Sequence, residues 1–395
     1  MANNNDKKVL NVPALRFPEF TEEWQGEQLH EIAELSKGIG ISKEQLSENG
    51  TPCILYGELY TKYKSEIISK IISKTDIEKS KLKHSKQNDV IIPCSGETAI
   101  DIAVARCVPF DNVLLGGDMN VIRLHKYDGA FMAYQLNGKR KTDIAKLAQG
   151  VSVVHLYGEI LKSIKTYNPS LQEQQKIVKL LSMLDERLEV QNKIIEDLKK
   201  LKSAIIDKLY SSTNGEIYSF RQLFEVVNEK NKARAYKNVL SASQELGMIE
   251  RSDINIDIKF EQESISGYKI VHKGDYVVHL RSFQGGFAFS DRTGICSPAY
   301  IILRPNDLVV YGYLSHFFTS KPFIKSLKLV TYGIRDGRSI NVDEWLDMPI
   351  LLPPAQEQIR ILTIVNAIDA KLHNEVKVQF CLSSQKSYLL NTMFI

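Results

Sequence analysis

Side chains that can hydrogen-bond the edges of nucleic-acid bases concentrate in glycine-bearing loops of the C-terminal half. Arginine suits guanine and glutamine suits adenine, because each presents its donors and acceptors in a fixed geometry. The predicted contacts of this half are Tyr332, Arg335 and Arg338, then Arg281, Ser282, Phe283 and Gln284, then Ser241, Ser243 and Gln244. The alternative is that these are ordinary turn residues, with an arginine paired to Asp336 or Asp291.

A second set of polar and aromatic residues follows the strands predicted in the N-terminal half. Lys37 and Lys43 flank a glycine loop, and lysines and loop amides are typical ligands of phosphate. The other predicted contacts of this half are Tyr56, Tyr60, Thr61, Lys62, Ser95, Thr98 and Ser152. Tyrosines in such places are more often part of a core, so an internal role is the alternative.

Motifs for nucleotide-driven or covalent chemistry are missing from the sequence. It contains no G-x-x-x-x-G-K-[ST] phosphate loop and no Asn-Pro-Pro-Tyr or Asp-Pro-Pro-Tyr run of the amino-methyltransferase kind. The histidines are scattered, and the five cysteines form no C-x-x-C pair. The sequence therefore predicts a protein that is not an enzyme by itself, with no catalytic residue, no metal site and no cofactor of its own.

The elements that must position these loops include a stretch that occurs twice. Residues 169–210 and 353–394 align without a gap at an offset of 184, with Gln172-Glu173-Gln174 matching Gln356-Glu357-Gln358. In both copies apolar residues recur every three or four positions, which predicts two long helices of coiled-coil type. The predicted seam of the first is Ile177, Leu181, Leu184, Leu188, Ile195, Leu198, Ile205 and Leu209, interrupted by a polar Gln191.

The halves that precede these helices are divergent copies of one mixed α/β plan. Asn88-Asp89-Val90-Ile91-Ile92 returns as Gly274-Asp275-Tyr276-Val277-Val278. The motif Trp24-x-x-x-Gln28-Leu29 similarly returns as Tyr218-x-x-x-Gln222-Leu223. The predicted boundaries are a first domain at 1–168, a helix at 169–212, a second domain at 213–352 and a second helix at 353–395.

The narrow apolar seams predict that the two helices cover each other. Antiparallel pairing is favoured, because parallel pairing would force the chain to return along the whole rod. The predicted fold class is α+β: two mixed α/β domains in a pseudo-two-fold arrangement, separated by an antiparallel pair of long coiled-coil helices. Two unlike domains at a fixed separation suit a duplex polymer that carries two separated half-sites.

Composition narrows the protein class without selecting a ligand. The net charge is +4, and acidic and basic residues nearly balance in every segment, so composition alone does not indicate DNA. No apolar run approaches the eighteen or so residues of a membrane span, and the polar start lacks a signal peptide's apolar segment. We expect a reduced, cytoplasmic protein that does not bind a membrane.

Over essentially its whole length the chain resembles the specificity subunits of type I restriction-modification enzymes. The resemblance is carried by the two Pro-x-x-Gln-Glu-Gln helix starts at Pro169 and Pro353, by the 281–286 loop, and by Tyr332-Gly333-Ile334-Arg335. One departure is Gly150-Val151-Ser152, which stands in the first domain where the second has its arginine loop.

The resemblance implies a set of partners and cofactors. Each domain would be a target recognition domain that reads one half of a bipartite site in double-stranded DNA, while the helices set the gap. Two modification (methyltransferase) subunits and two restriction (translocase and nuclease) subunits would assemble on the chain. S-adenosylmethionine, ATP and Mg would be held by those partners. The alternative function is a non-enzymatic bivalent adaptor whose two domains bind proteins.

Overall fold

The repeated sequence forms two long helices, Leu171–Ser211 and Ala355–Thr392, close to the predicted bounds. They belong to a computed structural model that describes residues 10–243, 246–251, 262–279, 286–332 and 339–395. The chain divides into two compact units, Met1–Asn192 with Lys377–Ile395, and Lys193–Val376. Each unit therefore holds one globular head and a portion of both long helices. The predicted domain boundaries, placed at the helix starts, stay a prediction.

The first unit carries its strands and short helices ahead of the first long helix. Its strands are β1 (Gln25–Gln28), β2 (Ala33–Lys37), β3 (Leu46–Ile54), β4 (Ser73–Thr75), β5 (Lys83–His84), β6 (Asp89–Pro93), β7 (Ser95–Gly96), β8 (Arg106–Val108), β9 (Leu114–Leu115), β10 (Met119–Leu124), β11 (Val154–His155) and β12 (Lys165–Asn168). Its helices are α1 (Leu29–Ile32), α2 (Glu58–Thr61), α3 (Ala99–Ile102), α4 (Gly129–Asn137), α5 (Lys141–Leu147), α6 (Gly158–Leu161) and the first part of α7 (Leu171–Ser211).

The second unit repeats this order. Its strands are β13 (Glu216–Ser219), β14 (Phe224–Val227), β15 (Leu240–Ser243), β16 (Gly247–Glu250), β17 (Lys269–Val271), β18 (Tyr276–Val278), β19 (Phe287–Phe289), β20 (Gly294–Cys296), β21 (Ile301–Pro305), β22 (Thr331–Tyr332), β23 (Ser339–Ile340) and β24 (Pro349–Leu352). Its helices are α8 (Phe220–Leu223), α9 (Tyr313–Phe317), α10 (Lys321–Ser326), α11 (Val342–Leu346) and the first part of α12 (Ala355–Thr392).

Each head is built around a four-stranded antiparallel sheet. In the first unit the strand order is β2-β10-β6-β8, and in the second it is β14-β21-β18-β19. β6 is buried along its whole length, as the continuous apolar run in its sequence indicates. The second head has an aromatic core in which Phe220 stacks on Trp345 with ring centroids 4.3 Å apart. The first of these sheets carries two predicted contacts at one edge, since β2 ends at Lys37 and Ser95 lies two residues beyond the end of β6.

The predicted repeat within the heads is real, but one of its two matches is displaced. Asp89 and Asp275 do occupy equivalent places, because each accepts hydrogen bonds from an arginine of the neighbouring strand, Arg123 or Arg304, at 2.7–3.0 Å. The Trp24 match is wrong by three residues. β1-α1-β2 corresponds to β13-α8-β14, which pairs Gln28 with Ser219 rather than with Gln222. In one-turn helices like these the residue before the helix sets the register, and apolar spacing alone does not reveal it.

The antiparallel pairing of the long helices is confirmed within each unit. In the first, Lys386 Nζ lies 2.5 Å from Asp185 Oδ1 and Gln379 Nε2 donates to Asn192 Oδ1 at 2.6 Å, so residue numbers rise on one helix as they fall on the other. In the second, Lys202 Nζ lies 2.5 Å from Asp369 Oδ1, and Ile206 shares a core with Ile361 and Val365.

A repeated glutamine attaches each head to its helix start. Gln174 accepts a hydrogen bond from the Asp128 amide at 3.0 Å and donates to the Pro169 carbonyl at 2.8 Å. Gln358, its counterpart, accepts from the Val310 amide at 2.8 Å and donates to the Leu308 and Pro353 carbonyls at 2.9 Å. Both side chains are fully buried, so their polar atoms need these partners. The Gln-Glu-Gln signature therefore has a structural role in joining head to helix.

Candidate nucleic-acid interface

Three loops of the first head meet at one edge of its central sheet. β2 ends at Lys37, β6 ends at Pro93 and β10 begins at Met119, and antiparallel registry places these points side by side. The Gly38 amide donates to the Met119 carbonyl at 3.0 Å, and the Cys94 amide donates to the Asp118 carbonyl at 2.7 Å. Segments far apart in sequence are thereby fixed into one surface, which we call the loop edge (residues 37–45, 94–98 and 116–118).

An open cleft of about 450 Å³ lies on the loop edge. Its lining residues are Gly40, Ile41, Ser42, Gln45, Tyr56, Gly117 and Asp118. The Ser95 hydroxyl, a predicted contact, donates to Asp118 Oδ2 at 2.9 Å and so orients this carboxylate. Asp118 has a left-handed backbone conformation, with φ of 57°. This conformation is uncommon outside glycine, although aspartate adopts it more readily than most residues.

Gln45 and Asp118 are candidate contacts that the sequence analysis missed. The Gln45 side-chain oxygen accepts a hydrogen bond from the Ser42 amide at 2.9 Å, which fixes the side chain at the cleft. A carboxylate can accept from the amino group of cytosine, and a glutamine amide can read adenine. The Ser42-x-x-Gln45 spacing, a capping-box pattern, was the available signal for Gln45. For Asp118 the signal was its place after the glycine pair 116–117.

The two predicted tyrosines lie next to the loop edge. Tyr56 lines the cleft, and burial together with the charges of Glu97 and Asp101 raises the pKa of the Tyr60 phenol. Both tyrosines are only partly buried. They therefore remain accessible for stacking or hydrogen bonding, beside a patch that already contains two carboxylates.

The Gly150–Val153 segment brings Ser152 to the same region. Backbone hydrogen bonds between Gln149 and His155, at 2.9 and 2.7 Å, close this segment, and the strand that follows pairs His155 with Ser95. Ser152 is exposed, and Val151 at the tip is 97% exposed. Apolar groups at such a tip can contact the methyl group of thymine.

Three other predicted contacts of the first head have internal partners. The Thr61 hydroxyl donates to the Gly57 carbonyl at 2.7 Å, and Lys62 Nζ lies 2.7 Å from Glu58 Oε1. The Thr98 hydroxyl accepts from the Asp101 amide at 3.2 Å and caps α3. By contrast, Lys37 and Lys43 are exposed and suited to phosphate. The structure thus gathers Lys37, Lys43, Tyr56, Tyr60, Ser95 and Ser152, while Thr61, Lys62 and Thr98 already serve the fold.

In the second head, the predicted serines lie on one hairpin strand. Ser241 Oγ accepts from Arg251 Nε at 3.3 Å, and Ser243 Oγ accepts from the Leu246 amide at 3.2 Å. This β15–β16 hairpin packs against β19. Arg251 is a further basic candidate in this head that sequence reasoning did not select.

The remaining predicted contacts of the second head lie outside the described residues. These are Gln244, Arg281, Ser282, Phe283, Gln284, Arg335 and Arg338. The backbone of Tyr332 belongs to β22 and pairs with Ser339, and Val278 pairs with Phe287. The predicted arginine segments are thus flanked on both sides by paired strands.

A second kind of surface runs along the long helices. In the first unit, Leu180, Met183 and Val190 on α7 and Phe380 on α12 are exposed large apolar side chains. In the second unit, Ile194 and Leu201 on α7 are exposed as well, seven residues apart. Exposed apolar groups at heptad spacing on a helix are typical of a surface that another helix covers. Within the described ranges, no helix is long and apolar enough to cross a bilayer.

Known proteins with similar sequences are specificity subunits of type I restriction enzymes. Residues 21–200 match the family described as Type I restriction modification DNA specificity domain. The putative type I restriction enzyme MjaX specificity subunit of Methanocaldococcus jannaschii is 24% identical, over 98% of this chain and 96% of its own. The MjaVIII specificity subunit of the same organism is 27% identical over 34% of this chain and 31% of its own.

Solved structures share the fold. The S subunit of a type I restriction-modification system from M. genitalium matches with a TM-score of 0.57 at 17% identity, covering 97% of this chain and 99% of that one. A chain from a structure concerning complex assembly and conformational transition of the type I R-M system matches with a TM-score of 0.58 at 14% identity, covering 94% and 97%.

Proposed function

We propose that this chain, which matches the type I restriction-modification specificity family over residues 21–200 and is similar to a specificity subunit over 98% of its length, reads a bipartite DNA site, one half with each head. Its helices would set the length of the unread gap and recruit the modification subunits. The chain would supply sequence recognition and assembly, and catalysis would come from its partners.

One observation carries the proposal. The first unit has the ion pair Asp185–Lys386 and the second has Asp369–Lys202. These positions are equivalent in the repeat, because the two aspartates are 184 residues apart and so are the two lysines. The helix pairing is therefore duplicated, whereas the head loops have diverged. Conserved spacing with divergent heads is what a reader of two unlike half-sites requires, because local two-fold symmetry of the duplex fixes the approach while the bases differ.

The loop edge of the first head offers two kinds of DNA contact, one to phosphates and one to bases. Exposed Lys37 and Lys43 suit phosphate, which fixes the position of the protein on the duplex. Asp118 and Gln45, held by Ser95 and Ser42, offer an oriented acceptor and an oriented amide, which are the groups that distinguish bases. In the second head, the corresponding DNA contacts would be made by Ser241, Ser243 and Arg251, together with the predicted arginine segments.

The exposed apolar side chains on the long helices support recruitment of partner subunits. We propose that two modification subunits cover this surface and that two restriction subunits complete the nuclease. S-adenosylmethionine, ATP and Mg would be bound by those partners.

Selection from random DNA by the chain co-purified with a modification subunit tests this function. The expected result is two short sequences separated by a fixed number of unselected base pairs. Phosphate contacts also require that affinity fall steeply with rising salt. Capture of proteins by both heads, with DNA binding absent at low salt, would instead favour the bivalent adaptor.

A further inference from the structure

Four elements of the first unit meet at the ammonium group of Lys386. Its Nζ lies 2.5 Å from Glu66 Oε2 and 2.5 Å from Asp185 Oδ1. Asp185 Oδ2 accepts a hydrogen bond from the Tyr134 hydroxyl at 2.7 Å. Glu66 and Tyr134 belong to the head, Asp185 to α7 and Lys386 to α12. This group of side chains, the Lys386 junction, therefore ties one head to both long helices at a single point.

The junction is buried and its charges depend on one another. The side chains of Lys386, Asp185 and Glu66 are 13%, 7% and 7% exposed. Burial raises the pKa of the Asp185 carboxyl, Glu66 raises it further, and Lys386 opposes both effects. Arg106, also buried, uses its guanidinium to donate to the Leu59 and Tyr63 carbonyls. Lys386 is thus the cation that directly bridges the two carboxylates.

The second unit has the same ion pair without the same connection to its head. Lys202 pairs with Asp369, but these side chains are 24% and 35% exposed. In the first unit Tyr134 donates its hydroxyl to the carboxylate of this ion pair, at 2.7 Å from Asp185 Oδ2. The head residue beside Asp369 is His316, whose Nε2 lies 4.0 Å away, beyond hydrogen-bonding distance. The second unit therefore offers a natural control for the first.

We propose that Lys386 is a positioning residue, which fixes the angle of the first head to the helix pair and thereby narrows the range of gap lengths that the protein accepts. This inference rests on the proposed function. Lys386 is buried between the first head and α7, so it would act through geometry and not by contacting DNA.

The expected consequence of removing the ammonium follows from its surroundings. Lys386→Met would leave two buried carboxylates without the cation between them. This arrangement is unfavourable, so the side chains would move towards water or another hydrogen-bond donor. The head would stay attached, because Gln174 still joins it to the start of α7. The contact surfaces for bases would be intact while the orientation of the head would be less defined.

The test uses the complex with modification subunits and a set of duplexes that carry the two selected half-sites at successive gap lengths. With Lys386→Met, methylation at gaps one base pair longer or shorter should rise about tenfold relative to the preferred gap, the factor that corresponds to 1.4 kcal/mol. Lys202→Met, the repeat-related control, should change this ratio much less. Lys386→Arg, which retains a cation, should restore much of the preference.

Thermal unfolding shows whether each variant is folded. If Lys386→Met is not, the triple variant Lys386→Met, Asp185→Asn, Glu66→Gln removes the buried charges and is tested instead. A folded variant with the wild-type gap profile overturns the inference, as does a changed base preference with an unchanged profile. A wild-type complex without any gap preference would instead overturn the proposed function itself.

Discussion

At the scale of the residue, the sequence identified the repeated Gln-Glu-Gln motif but not the contacts that its last glutamine makes. The sequence showed that Gln174 and Gln358 are equivalent, and the match at Asp89 and Asp275 was likewise correct. It could not show what Gln174 contacts, because its partner at Asp128 comes from a loop 46 residues earlier. The role of such a side chain depends on tertiary packing, which apolar periodicity does not encode.

Replacement of the buried glutamine should be costly. Gln174→Ala leaves the Asp128 amide and the Pro169 carbonyl without their partner, and we expect a loss of about 1–3 kcal/mol in the free energy of unfolding. Urea denaturation of the full chain measures this loss of stability. The adjacent exposed Gln175 provides the control, and Gln175→Ala should change stability little. Equal effects of the two substitutions would contradict the anchoring role.

Two lysines predicted from sequence as DNA contacts should now behave differently. Lys37 is exposed on the loop edge, so Lys37→Ala should weaken binding to all sequences and lower the slope of log affinity against log salt by about 1. Lys62 pairs with buried Glu58, so Lys62→Ala should lower stability and leave the salt slope unchanged. Salt titrations of DNA binding by both variants decide between these roles, and a reversed pattern would refute the assignment.

At the scale of the element, the long helices were the most predictable feature. The gap-free alignment revealed their repeat and apolar spacing indicated helices, while the antiparallel pairing followed from the path that the chain would otherwise need to return along the rod. The predicted seam omitted Ile206, which is buried, and included its neighbour Ile205, which is only half-buried. From Ile195 to Ile206 is an eleven-residue step, which matches the pitch of a straight helix better than a strict heptad does. The short head helices were less predictable, because one-turn segments have no periodicity to read.

Lengthening the helices should lengthen the recognised gap. Seven residues inserted after Asn192 and seven after Val378, positions that lie opposite each other in the first unit, add about 10.5 Å of helix with nearly two full turns. The preferred gap should grow by about three base pairs, since duplex DNA rises 3.4 Å per pair. Selection from random DNA measures the gap of the lengthened protein. An unchanged gap would exclude the helices as its determinant.

At the scale of the whole molecule, the proposed function places two readers of unlike sequence on one duplicated helix framework. The sequence predicted the framework well, because coiled-coil periodicity and internal repetition are long-range signals. It predicted the reading surface less completely. Gln45 and Asp118 reach the loop edge through pairing of distant strands, and several arginines of the second head lie outside the described residues.

The decisive measurement of two-site reading is a map of methylated bases in DNA from cells that carry the complete complex. We expect one methylated adenine in each of two short, unlike sequences, always separated by the same number of unspecified base pairs. Methylation within a single continuous sequence, or at two sequences with a variable separation, would contradict it.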